Sequence, residues 1–197
     1  MKSHLSAIAI GIAVATAHPA SAEEKAPHEN GAAQLHLAVE KSEVEIELTL
    51  PGDDAVGFEH AAESAEDRRA VDAAMKTLRD GAALFLFPAA AGCKLEKTEV
   101  NLLTGSKEHE GEHEKEHGKD HVHEKAEKHE HEHEHESGHT AFRAHYHFHC
   151  DAPAQARSVD LRVFTAFPTL REVRALTLSA AGQGAMELTP RATSLKF

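Results

Sequence analysis

The sequence predicts an α+β fold: one antiparallel, β-rich domain with one main helix and a disordered His/Glu-rich insert at a hairpin tip. Three observations predict it. Residues 32–39 and 43–50 alternate apolar and polar with the period of two that a half-buried strand needs. Ser64-x-x-Asp67 opens a stretch in which Val71, Met75 and Leu78 recur at helical spacing. Composition changes abruptly at Lys107 and changes back near Thr140, as a low-complexity segment does.

The elements follow in order. Met1 to Ala22 reads as a cleavable signal peptide: Lys2 and His4 are polar, Leu5 to Ala17 is apolar, and Ala20-Ser21-Ala22 supplies the small-x-small cleavage pattern. The apolar run of 13 residues falls short of the roughly 20 that a membrane-spanning helix needs, so no integral membrane segment is expected after cleavage. The mature chain, 23–197, would be one periplasmic domain interrupted by 107–139. Its first hairpin joins 32–39 to 43–50 through Glu40-Lys41-Ser42, with Val44, Ile46, Leu48 and Leu50 on one face; Pro51-Gly52 ends the second strand. The capped helix follows, with Gly81 as its expected stop. After Leu84-Phe85-Leu86-Phe87, a second hairpin pairs 93–103 with 140–150 and carries the insert at its tip. Antiparallel pairing that sets Cys93 opposite Cys150 also sets Leu103 opposite Thr140. Strand-like runs follow at 158–166, 174–180 and 184–189, with a turn or short helix at Pro168-Thr169-Leu170. Runs of strand around one helix define an antiparallel α+β domain.

With no Trp, one Tyr and eight Phe, the core must be mostly aliphatic. A net charge of −12 argues against nucleic acid, whose phosphates select Lys/Arg surfaces, and makes cations the natural ligands. Cys93 and Cys150 are the two cysteines of a chain bound for an oxidising compartment, so a disulfide is expected. A pair of thiolate metal ligands is the other reading.

Lys107 to His139 holds 10 of the 18 histidines with 12 acidic residues and 5 lysines, and only Val122 and Ala126 could contribute to a core. Such a tract is expected to be a solvated, disordered loop. Neutral imidazole is a leading ligand for zinc and also suits copper and nickel. His109, His113, His117 and His121 recur every four residues, which on a helix puts them on one face; His129, His131, His133 and His135 alternate with glutamate, which suits an extended chain. With His123 and His139 they form a chelating tract of no single geometry. His109-Glu110-Gly111-Glu112-His113 matches the H-E-x-x-H zinc-protease pattern. Such matches arise automatically from a His/Glu composition, and the protease needs a packed helix behind them, so no enzyme is assigned.

His145-Tyr146-His147-Phe148-His149-Cys150 is the second feature. On a strand His145, His147 and His149 share one face, and Tyr146, Phe148 and Cys150 share the other. Two histidines at i and i+2 can share a metal, with the third or a cross-strand residue completing the shell. The alternative is a solvent-facing polar row behind a buried face. His28, His36 and His60 stand alone in sequence and read as surface or structural residues.

A set of motifs runs through the mature chain in fixed order: His28-Glu29-Asn30-Gly31 before the Ala33–Val39 strand, Gly57-Phe58-Glu59-His60, Pro88-Ala89-Ala90-Ala91-Gly92-Cys93, the His-rich insert, Tyr146-x-Phe148-x-Cys150 and Phe167-Pro168. In these the sequence resembles the ZrgA-type zinc-regulated periplasmic zinc-binding proteins. It departs from the family pattern at Asn30, where a second His is expected, and in the three interleaved histidines at 145, 147 and 149. The resemblance implies zinc binding in the periplasm, under zinc limitation, beside the components of an ABC-type zinc transporter. The expected function is therefore to capture, buffer or deliver zinc. The alternatives are a detoxifying buffer for copper, nickel or excess zinc, and a zinc enzyme built on the strand histidines.

Overall fold

The structure, a computed structural model, describes residues 31–104 and 139–197. The expected signal peptide, His28, Asn30, and the insert with its histidines from His109 to His135 lie outside the described residues.

β1 (Ala32–Glu40) and β2 (Glu43–Pro51) form the expected hairpin, with Lys41 at φ +57° in its tight turn. Three helices follow: one turn at α1 (Gly52–Val56), the main helix α2 (Ala65–Arg79), and one turn at α3 (Gly81–Leu84). The capping box at the start of α2 is present. Asp67 N–H donates to Ser64 Oγ, and Ser64 N–H donates to Asp67 Oδ2, both at 3.0 Å. These bonds hold the Asp67 carboxyl below its usual range, and such a cap is worth about 1 kcal/mol. β3 (Phe85–Leu86) leads to the long hairpin β4 (Cys93–Thr104) and β5 (Thr140–Cys150). β6 (Ser158–Leu161), α4 (Val163–Ala166), β7 (Glu172–Ser179), β8 (Gly182–Leu188) and β9 (Ser194–Lys196) complete the chain.

The strands form two sheets, one of six in the order β4-β5-β2-β1-β7-β8 and one of three in the order β3-β6-β9. The large sheet buries one face only, because its strands alternate. Leu35, Leu37, Ile46, Leu48, Phe142, Tyr146, Phe148 and Val173 point into the core, where Leu78, Phe85, Leu161 and Leu170 meet them. The Phe85 ring sits edge-on to Tyr146, and Phe87 edge-on to Phe148, with centroids 4.9 and 5.0 Å apart. The opposite face is open and carries the polar half of the alternation on β1, β2 and β5, with Leu176 and Leu178 of β7 exposed beside it. A disulfide joins Cys93 to Cys150 at the open end of the β4–β5 hairpin, so neither cysteine is a thiolate ligand.

Several sequence expectations change in detail. Cys93 does pair with Cys150, but Leu103 lies opposite Ala141, not Thr140. The register shifts by one between Leu95 and Lys97, where Glu96 forms a β-bulge and adds a residue to β4 alone. The run 158–166 is strand only to Leu161. Val163 and Phe164 are both buried, which a strand, with neighbours on opposite faces, cannot do, and a helical turn can. One pairing in the large sheet, β1 with β7, is parallel; the remaining pairs are antiparallel.

Gly81 does not terminate α2, whose C-cap is Asp80; it opens α3 against Tyr146. A Cβ there would lie 2.3 Å from Tyr146 Cδ1. The ring cannot easily retreat, because its hydroxyl donates to the Leu78 carbonyl oxygen at 2.8 Å in the buried core. Gly81→Ala is therefore expected to destabilise the fold by about 1–3 kcal/mol through overpacking, read as a lower urea midpoint with an unchanged slope.

Candidate metal centre

The open face of the sheet is where the strand histidines emerge. His145, His147 and His149 lie on that face of β5, while Tyr146, Phe148 and Cys150 are buried behind them. Alternation on β2 puts Glu43, Glu45 and Glu47 on the same face, and antiparallel register sets them opposite His149, His147 and His145. The Glu96 bulge brings a further carboxylate in from β4.

His147 is the centre of the arrangement. Its Nε2 lies 3.2 Å from Glu43 Oε2 and its Nδ1 lies 3.6 Å from Glu96 Oε2. One ligand atom each from Glu43, Glu96 and His147 falls within 4.8 Å of the others. Glu43 Oε2 is buried at the atomic level yet makes no hydrogen bond among the described residues. Its near neighbour is the His147 imidazole at 3.2 Å, and a cation held between the two would give this desolvated acceptor a partner. Two carboxylates and one imidazole leave a fourth position for water in a tetrahedral zinc shell.

Glu43 is held from behind. His149 Nδ1–H donates to Glu43 Oε1 at 2.8 Å, and the Ser42 hydroxyl donates to the same oxygen at 2.9 Å. These bonds, that from His149 first, draw the Glu43 carboxyl below its ordinary 4.5. The same bond to Glu43 holds the His149 imidazole above its ordinary 6.5. Each group therefore supports the folded state in its charged form. The Glu43 contribution is lost as pH falls through its lowered value, and the His149 contribution is lost as pH rises through its raised value. Outer partners of this kind orient a metal ligand. In metal-free protein, His149 is expected to titrate above 6.5 by NMR, and Glu43→Gln to bring its midpoint back down. An unchanged midpoint in the variant would show that the pair does not form.

Of the sequence-predicted ligands, the structure brings His147 into a cluster, places His149 behind it on Glu43, and sets His145 beside Glu47 with Nε2 3.5 Å from Oε2. His139 stands apart at the insert boundary, bonded to the Glu59 carboxylate. His60 bonds the Ala61 carbonyl oxygen and stacks on Phe58, as a structural histidine does. Glu43 and Glu96 are the residues that sequence reasoning missed. The Glu43-x-Glu45-x-Glu47 alternation was a usable signal for the first, since it has the same period as the histidine row. Glu96 needed the bulge.

An ion bound here would sit on a half-exposed face with an open coordination position, as suits metal that is loaded and released, whereas structural zinc sites are closed. Fold and site together define an α+β protein with a His/Glu cluster on the open face of its sheet that could hold a metal ion. The chain belongs to the ZrgA family of zinc uptake proteins, whose family model matches residues 27–197. Comparison with the curated proteins gives no match. Among the described residues, no helix is long and apolar enough to cross a membrane.

Proposed function

We propose that this protein captures zinc in the periplasm and delivers it to an ABC-type uptake system. The observation that carries the reading is the Glu43–Glu96–His147 cluster, in a chain of the zinc uptake family. In this reading the His/Glu tract at 107–139 gathers ions with many weak imidazole ligands, and the sheet face holds an ion in a fixed geometry for transfer. The tract supplies capacity and the sheet supplies order. Zinc is the cargo, and no catalytic step is assigned.

The test is made in zinc-limited cells. Loss of the protein is expected to slow zinc accumulation, with restoration by the native chain and weaker restoration by a His147→Ala chain. Unchanged accumulation under limitation would overturn delivery. Sensitivity only to excess zinc, copper or nickel would point instead to a detoxifying buffer.

A further inference from the structure

We propose that the same sheet face holds a second divalent-metal site, formed by His36, Glu47 and His145. The proposal extends the reading of the first site and rests on it. Its basis is the cross-strand register: β2 sets Glu47 directly opposite His145 on β5, whereas the first site joins His147 to Glu43 on the diagonal.

Register assembles the row. Glu47 lies opposite His145 on one side and opposite His36 on the other. Beyond His145, β4 sets Glu99 opposite it. Four ligand-bearing side chains thus cross four adjacent strands in line, and all four line one open cavity of about 1220 Å³. With strands about 4.8 Å apart, the backbones of His36 and His145 stand about 10 Å apart across Glu47. Among the described residues the ligand atoms of this set are not yet gathered as those of the first site are, so an ion would have to draw the His36 and His145 imidazoles inward above the carboxylate.

Two cations compete for the carboxylates. Arg143 Nε lies 3.9 Å from Glu47 Oε1, and Lys97 Nζ lies 2.7 Å from Glu99 Oε1. Such exposed pairs contribute little. Glu47 Oε2 remains turned toward His145, so the site forms without breaking the Arg143 contact. Glu99 joins as a fourth ligand only when Lys97 releases it. Imidazole with carboxylate selects zinc and its transition-metal neighbours, whereas calcium and magnesium require a shell of oxygens.

His145 and His147 are two residues apart on one strand face, about 7 Å along β5, so the two sets are neighbours.

The experiment is anomalous diffraction at the zinc edge on zinc-equilibrated crystals of the full mature chain. Two separate peaks are expected on the sheet face, one at Glu43/Glu96/His147 and one at His36/Glu47/His145. His36→Ala and His145→Ala should each remove the second peak and leave the first. A single peak at His147 would overturn the second site and leave the first standing; no peak at either would overturn both. In solution, the imidazole resonances of His36 and His145 should shift together on zinc addition. Movement of His147 and His149 alone would sink the proposal.

Discussion

Replacing His147 with alanine is expected to weaken zinc binding at the sheet by about 100-fold or more, since loss of outer-shell partners alone costs 10–100-fold. The His-rich tract must be removed to see this, because its imidazoles would mask the loss. Thr104 and Thr140 are directly paired neighbours, so excising 107–138 leaves Gly105, Ser106 and His139 to join them, a three-residue glycine-containing loop that a hairpin closes readily. His139 also keeps its bond to Glu59. In the shortened chain, a competition titration with a zinc chelator reads the sheet site directly. Glu43→Gln should cost nearly as much as His147→Ala, because it removes the carboxylate that faces the imidazole and releases His149. Full affinity in His147→Ala would remove the cluster from consideration. Failure of the shortened chain to fold would refute the insert boundary instead.

Much of this architecture is legible in the sequence because alternation has only one reading when one face is buried. Val44, Ile46, Leu48 and Leu50 assign the faces of β2, and Tyr146, Phe148 and Cys150 assign those of β5. The histidine row then faces outward by necessity. The pairing of the two rows is less legible. It depends on β2 lying beside β5, although α1, α2, α3, β3 and β4 separate them in the chain. Local pattern carries no information about which strands become neighbours, or that β7 runs parallel to β1. The bulge is harder still. Cys93 and Leu95 are apolar at odd positions and Val100 and Leu102 at even ones, so the alternation changes phase somewhere in Glu96-Lys97-Thr98-Glu99, and only the pairing of Leu95 with Phe148 and of Thr98 with Tyr146 places the extra residue. That residue is Glu96, so the defect in the ladder supplies a ligand. Bulges are often found next to functional sites for this reason.

Removing the disulfide is expected to cost the fold about as much as truncating a large core side chain. Cys93 and Cys150 are 57 residues apart in sequence, and cross-linking a span of that length removes about 4 kcal/mol of unfolded-state entropy on the chain-entropy model. Domains are commonly stable by only about 5–15 kcal/mol. The Cys93→Ala/Cys150→Ala chain should therefore melt about 8–16 °C lower. Excision of 107–138 tests the cause, because it roughly halves the cross-linked span and should reduce the disulfide's contribution by about 0.6 kcal/mol. A contribution that does not fall with the span would assign the stabilisation to native packing around buried Cys150. Zinc binding should weaken in the same variant. The next pair beyond the disulfide is Lys94 with His149, and Glu96 lies just after it, so the cross-link pins β4 where the bulge must hold its carboxylate against His147. Unchanged zinc affinity in a chain that has lost this stability would show that the β2–β5 pairing alone positions the ligands.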